Sequence, residues 1–526
     1  MFSRLTTFLS VAMLLPSPWS KTATRPDVKL DKATIIGTTT GNVTSFLGIP
    51  FARLRTVGDL RLRLPVPVEH YSGTINATQT AAQCIQLVPF PRQDEPAEMQ
   101  QLMNAYATAF SVPLPESEDC LTVDVQVPAG TKPGQKLPVV VMIFGGGFTI
   151  GSSAANPGNA FIARSVELGE PIIYVAMNHR LHALGFLAGQ EVKDAGVGNL
   201  GLHDQREALR WVQKHISAFG GDPCRVTLWG ASSGAISIGL QIVTNGGDSE
   251  GLFHGAVMNA GSPIPLAMSH RRERRLRWAA DTLDCLRQLP LDVLMNATAP
   301  LPNLFGYQGL ATPWAPHADG QLVLREVWRT SLLTGDALDE GTIFATGSFN
   351  VTKLPELRLR ALFPASSCGQ ARSGLRAVPE RPRTGLALCT GDANQLAPMY
   401  KRMAAFQGDI IFQAPRRFFL EQRADKQPMY SFISSRGSGT PLGVAHGSDF
   451  VPALSQGDEL ADYIIKFAAT GNPNGASNRT IEWPRYDKVE RKVLSLLPNS
   501  TLEIGNDTLR LEPMTTLMNL TVQFPS

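Results

Sequence analysis

The sequence predicts an α/β fold: a mostly parallel central sheet with helices on both faces and helical insertions. Three observations predict it. Leu137 to Phe144 and Pro171 to Asn178 are continuous apolar runs, the pattern of strands buried on both faces. Ala208, Val212, Ile216 and Phe219 recur at helical spacing. A strand-like run (Arg225 to Trp229), a helix-like run (Ala235 to Val243) and another strand-like run (Gly255 to Ala260) follow in β-α-β order. Ligands on such sheets bind beyond the carboxyl ends of the strands.

At the N-terminus, Arg4 precedes the short apolar stretch Leu5 to Leu15, which predicts a secretory signal peptide over roughly residues 1–20. The stretch is too short to span a bilayer. Asn-x-Ser/Thr sequons begin at Asn42, Asn76, Asn296, Asn350, Asn478, Asn499, Asn506 and Asn519, which agrees with export. The six cysteines fit an oxidising compartment, and without Cys-x-x-Cys or His/Cys clustering no metal site is expected. Cys368 and Cys389 could bracket a loop, and Cys224 and Cys285 are left over as candidate buried thiols. A net charge of +3 on 526 residues argues against a nucleic-acid partner. The basic run Arg271 to Arg275 reads as a solvated helix face. Residues 21–526 read as a single catalytic unit, with the proline-dotted stretch of about 264–425 as insertions.

The chemistry centres on Ser232 in Gly230-Ala231-Ser232-Ser233-Gly234. A serine between strand and helix occupies a strained turn that presents its hydroxyl at the sheet edge. The second match, around Ser249, lacks a leading strand and sits in a polar Asn245-Gly246-Gly247 loop. A serine hydroxyl needs a histidine base oriented by a carboxylate. In the α/β-hydrolase arrangement the chain order is Ser, acid, His. That order removes the histidines before Ser232, His254 follows it too closely to leave room for an acid-bearing strand, and His270 lies beside the basic run; His317 and His446 remain, of which His446 sits in a glycine-flanked loop after the strand-like Met429 to Ile433. Asp336, Asp339 and Glu340 cluster between serine and histidine, and spacing alone does not choose among them. Gly145-Gly146-Gly147 follows a buried strand and can aim backbone N–H groups at an oxyanion, with the N–H of Ser233 as a further donor. The competing reading, a phosphate cradle, is weak because no Gly-Lys-Ser/Thr follows.

These residues resemble the type-B carboxylesterase/lipase family, which includes cholinesterases and secreted fungal lipases. The shared motifs run from about residue 35 to 510: Phe46-Leu47-Gly48-Ile49-Pro50-Phe51-Ala52, Ser117-Glu118-Asp119-Cys120-Leu121, Asn199 to Arg206, Phe219-Gly220-Gly221-Asp222-Pro223 and Trp483-Pro484-Arg485-Tyr486. The resemblance implies Glu340 as the acid, in Asp339-Glu340-Gly341, and supports His446. It implies Gly146, Gly147 and Ser233 as oxyanion donors. It also implies a Cys84–Cys120 disulfide closing a lid-like loop (84–120), and structural ion pairs Arg61–Glu118 and Arg180–Asp204. Within that loop, Met99, Leu102, Met103, Tyr106 and Phe110 fall on one helical face.

Two departures stand out. The family usually carries Gly-Glu-Ser-Ala-Gly at the elbow, whereas this chain has Ala231 and Ser233. The missing glutamate implies that Asp449, a second acidic position of that network, loses its partner. The family's second disulfide is incomplete, with Cys285 as its remaining half.

The expected function is therefore a secreted, glycosylated carboxylic ester hydrolase working through Ser232, His446 and Glu340. The substrate is a small-molecule or lipid ester, with transient contact at a lipid interface and no cofactor. With an alcohol in place of water the same triad would make a tailoring esterase or acyltransferase. A non-catalytic binding relative is disfavoured because all three triad residues are present.

Overall fold

A computed structural model describes residues 25–53, 60–87, 112–265, 282–299, 301, 304–305, 313–319, 330–345, 400–437 and 442–523. The expected signal peptide, the helical face of the lid-like loop, Arg271 to Arg275, Asn350, Cys368 and Cys389 lie outside the described residues.

Eleven strands form the central sheet. In chain order they are β1 (Thr38–Thr40), β2 (Val43–Pro50), β3 (Thr122–Pro128), β4 (Leu137–Ile143), β5 (Ile173–Met177), β6 (Gly221–Ala231), β7 (Gly255–Asn259), β8 (Ser331–Ala337), β9 (Met429–Ser434), β10 (Lys492–Leu496) and β11 (Leu502–Asn506). Across the sheet the order is β11-β10-β9-β8-β7-β6-β4-β5-β3-β2-β1. From β5 through β10 every neighbouring pair is parallel; β1 to β3 and β11 add antiparallel edges.

The parallel strands are apolar because both faces are covered. Side chains alternate across a strand, so one run feeds two cores. Val139, Val141 and Ile143 of β4 pack in one cluster with Leu209 and Val212 of α2 (Leu200–His215) and Ile238 of α3 (Ser233–Val243). Val140 and Met142 pack on the opposite face with Phe161 of α1 (Asn159–Glu167) and Ile464 of α5 (Glu459–Thr470). A fifth helix, α4 (Ala414–Arg423), joins the first cluster through Phe419 and Leu420. Each fully buried aliphatic side chain contributes roughly 1.5–3 kcal/mol.

Cys84 and Cys120 form a disulfide with Cα atoms 5.0 Å apart. Both ion pairs form: Arg61 Nε meets Glu118 Oε1 at 2.6 Å, and Arg180 Nη2 meets Asp204 Oδ1 at 2.7 Å. Cys224 and Cys285, expected as buried thiols, are instead free and exposed. Cys224 lies at the solvent-facing start of β6, before that strand enters the core, and Cys285 sits on an outer helical turn at Leu283–Gln288.

Candidate active site

The parallel strands deliver their carboxyl ends to one edge of the sheet, and the candidate residues gather there. β6 ends at Ala231 and α3 starts at Ser233, leaving Ser232 at φ 57°, ψ −128°. A serine at positive φ is strained, and such strain persists only where surrounding structure fixes it. The fixing contacts are present. Ser232 N–H donates to the Asn259 carbonyl at 2.9 Å, and Ile236 N–H donates to the Ser232 carbonyl at 2.9 Å. The flanking glycines are demanded by close approach. A Cβ on Gly234 would lie 2.0 Å from the Ile143 carbonyl oxygen, where α3 passes over β4.

Opposite the elbow, Gly145, Gly146 and Gly147 turn away from the end of β4 and line the same pocket as Ser232 and Ser233. Gly146 has φ 122°, and a Cβ there would meet the Ile150 carbonyl oxygen at 2.1 Å. That carboxyl end of the sheet also faces the N-terminus of α3, whose first backbone N–H belongs to Ser233 and carries the positive end of the helix dipole.

The three acids take three different partners. β8 ends at Ala337 and the chain turns sharply. Asp336, still on the strand, bonds through Oδ2 to Arg416 Nε at 2.7 Å. Asp339 clamps the turn to the histidine loop: its Oδ2 accepts from Val444 N–H at 2.9 Å, and its N–H donates to the Val444 carbonyl at 3.0 Å. Glu340 is the one that meets His446, with Oε2 2.5 Å from Nδ1. Its other oxygen accepts from Ala337 N–H at 2.6 Å. Glu340 is fully buried and His446 is 6% exposed. His317, the other histidine retained from the sequence, is buried beside Asn199, to whose side chain its backbone N–H donates.

Burial pushes His446 down to about 4, so the imidazole is neutral at neutral pH and has a lone pair free to accept a proton. Burial, with the Asp336 and Asp339 carboxylates, pushes Glu340 up, while the Ala337 N–H and the Arg416 guanidinium oppose that rise. Arg416 is itself fully buried, shared between Asp336 and Asp507 (3.0 Å) and bonded to Ser431 Oγ at 2.8 Å.

The pocket between these elements encloses about 1100 Å³, its open mouth included. Its walls are apolar, with Phe148, Ile264, Leu304, Phe305, Phe344 and Phe412 contributing. Among its described lining residues His446 is the only titratable one. Phe412 and Phe344 pack on the imidazole, with centroids 4.8 and 5.2 Å away. Phe412 belongs to a π-helical turn, Asp409–Gln413, leading into α4. Such turns displace side chains relative to a regular helix and recur at functional sites.

Residues 24–513 match the model of the carboxylesterase family. The secreted triacylglycerol lipase LIP1 of Gibberella zeae is 35% identical, over 93% of this chain and 89% of that protein. Lipase 4 of Diutina rugosa is 36% identical, over 89% of this chain and 90% of that lipase. The cholinesterase of Mus musculus is 31% identical, over 93% and 87% respectively. The chain belongs to the carboxylesterase family. It is a carboxylic ester hydrolase of the α/β-hydrolase fold, and the sheet described above is that fold's central sheet.

In this esterase Ala231 lines the pocket, 6% exposed, where the family usually carries glutamate. Asp449, expected to lose its partner, has one: Asn259 Nδ2 donates to Asp449 Oδ2 at 2.7 Å. Asn259 was not singled out by sequence, nor were Arg416, Asp507 or Phe412. For Asn259 a signal existed, since it ends a strand-like run at the sheet edge where ligands bind. The others are polar or aromatic residues in helices and loops, and nothing in their spacing marks them.

Proposed function

We propose that Ser232 is the nucleophile, His446 the general base and Glu340 the group that orients it. The Glu340–His446 contact, at a pocket whose wall also carries Ser232, supports this reading most directly. Ser232 Oγ attacks the ester carbonyl while His446 Nε2 takes its proton. The imidazolium keeps its Nδ1–H directed at Glu340. The oxyanion draws hydrogen bonds from the N–H groups of Gly146, Gly147 and Ser233. His446 then protonates the departing alkoxide, leaving an acyl-enzyme. Water adds to that acyl group, giving its proton to His446, and the carboxylic acid leaves as Ser232 recovers its proton.

The uncharged lining favours neutral esters with apolar acyl groups, and the similarity to secreted lipases fits lipid esters. We assign the protein to the secretory pathway. The described sequon asparagines, Asn42, Asn76, Asn296, Asn478, Asn499, Asn506 and Asn519, are all exposed and so accessible to glycosylation. Ser232→Ala should abolish hydrolysis of p-nitrophenyl butyrate and labelling by a fluorophosphonate, with the circular dichroism spectrum unchanged. Retained turnover would refute the assignment.

A further inference from the structure

The turn assigned the oxyanion donors is strained, and contacts from outside hold it. Between Gly145 and Gly151, four residues have φ in the left-handed region: Gly146 at 122°, Gly147 at 61°, Phe148 at 64° and Gly151 at 118°. For Phe148 that conformation carries a steric cost that the surroundings must offset. Within the turn, the Gly146 carbonyl accepts from the N–H groups of Thr149 and Ile150, both at 3.1 Å. A Cβ on Gly151 would lie 2.5 Å from the Gly145 carbonyl oxygen. Backbone thus packs on backbone, and where Gly145 and Gly146 sit follows where Thr149 to Gly151 sit.

That far side of the turn is held from the stem of the disulfide loop. Gln86 Oε1 accepts from the Gly151 N–H at 2.7 Å, and Gln86 Nε2 donates to the Gly151 carbonyl at 3.1 Å. Nε2 also donates to the Cys84 carbonyl at 2.6 Å. A primary amide offers two N–H donors and one carbonyl, so all three are engaged and the orientation is fixed. Next to it, the Leu87 N–H donates to the Thr149 carbonyl at 2.9 Å. His182, fully buried, ties the same two segments: its backbone N–H donates to the Phe148 carbonyl at 2.7 Å, and its Nε2 donates to the Ile85 carbonyl at 3.0 Å. The stem is itself anchored. Cys84 is bridged to Cys120, Gln83 and Cys84 pair with Glu116 and Ser117, and the Gln86 N–H donates to Glu116 Oε2 at 3.0 Å.

We propose that Gln86 is a positioning residue for the ester hydrolysis: its amide, fixed on the disulfide stem, holds Gly151 and thereby aims the N–H groups of Gly146 and Gly147 at the developing oxyanion. The inference rests on the triad and oxyanion reading above. Such donors lower the barrier only when they point to where the charge develops, and they add little to ground-state binding. Gln86 is absent from the described lining of the pocket, so its loss acts through the turn and not through the pocket wall.

The test compares wild type with Gln86→Met, which keeps the size of the side chain and removes its donors and acceptor. Turnover of p-nitrophenyl butyrate is normalised to active sites counted by fluorophosphonate labelling carried to completion. In the variant kcat should fall roughly 10- to 100-fold, with KM changed by less than about twofold. Two inhibitors separate aim from shape. A butyl trifluoromethyl ketone is attacked by Ser232 Oγ and turns its carbonyl oxygen into an oxyanion, whereas the corresponding carbinol fills the pocket without adding. The ketone's Ki should rise by the factor that kcat loses, and the carbinol's should stay within about twofold. An unchanged kcat, or equal weakening of ketone and carbinol, overturns the proposal. Gln86→Glu is the second variant, for use where Gln86→Met yields no folded protein. It keeps the acceptor for the Gly151 N–H but sets a carboxylate oxygen against the Cys84 and Gly151 carbonyls, so the same split is expected and the same outcomes overturn it. A wild-type enzyme with neither turnover nor labelling would instead refute the Ser232 assignment.

Discussion

Asp449→Asn tests the buried Asp449 charge by thermodynamics, without any substrate. In the unfolded chain the carboxyl titrates near its ordinary 3.8, and in the folded protein near 7. The folded pKa is raised, so the folded state binds the extra proton between those values. The stability this contributes is present at low pH and is lost as pH climbs through about 7. Between pH 5 and 8.5 the wild type should lose stability over about two pH units, at about 1.4 kcal/mol each, or about 3 kcal/mol in all. The amide that replaces the carboxyl in the variant does not titrate, so the variant escapes that loss. Its new NH₂ group would face the position where Oδ1 lacks a partner, at a cost of about 1–3 kcal/mol. That penalty does not depend on pH and cancels when the two conditions are compared. A chain of this length has an unfolding entropy of about 1 kcal/mol/K, so the variant's Tm relative to wild type should be about 3 °C higher at pH 8.5 than at pH 5. Differential scanning calorimetry at the two pH values measures it. The same Tm difference at both would show that Asp449 carries no buried charge, and the reasoning would fail.

Two further substitutions probe the scaffold. Burial alone would raise Asp507, yet Arg416 and Arg417 hold it down at about 2, so it contributes stability above pH 3.8 that is lost as pH falls through 2. Asp507→Asn leaves two buried guanidinium groups short of a counter-charge and should destabilise the enzyme by about 3–5 kcal/mol at pH 7, read as an earlier denaturant midpoint; an unchanged midpoint would mean the network is not closed as seen. Gly234→Ala drives a Cβ to 2.0 Å from the Ile143 carbonyl, where backbone meets backbone and neither can yield cheaply. Soluble Gly234→Ala protein should label with a fluorophosphonate at least about tenfold more slowly, since even small misplacement of a nucleophile costs that much. Labelling at the wild-type rate would show that the elbow tolerates the extra atom.

What could be read from sequence followed the range of the interactions involved. β4, β5, β6, β7 and β9 announce themselves because burial on both faces demands continuous apolar runs. β8, Ser331–Ala337, does not, because Thr334-Gly335-Asp336 reads as a polar turn. It is a strand because β7 and β9 pair with it on either side, and because Arg416, from α4, meets the Asp336 carboxylate. The elbow was legible because strand, glycines and helix are contiguous. The acid was not: Asp336, Asp339 and Glu340 lie within five positions, and which one reaches His446 depends on where β8 ends and on the Asp339–Val444 clamp. Only family likeness selected Glu340 beforehand.

The exchange at position 231 shows a different limit. Read along the chain, Ala231 looks like a deletion: a carboxylate is gone and Asp449 is stranded. Read across the sheet, Ala231 and Asn259 are neighbours in register, and the amide of the second reaches the acid that the first no longer meets. A carboxylate at 231 would add a further acid to the sheet edge where Asn259 meets Asp449, and closely spaced buried acids cannot all ionise. An amide accepts no such conflict. It donates to Asp449, which favours the charged form, and adds no charge of its own. The exchange therefore leaves one carboxylate fewer to repel Asp449, although Glu340 still pushes its carboxyl up. The Asp449 carboxyl is thus set by burial and by the Glu340 charge, which raise it, and by the Asn259 hydrogen bond, which opposes them.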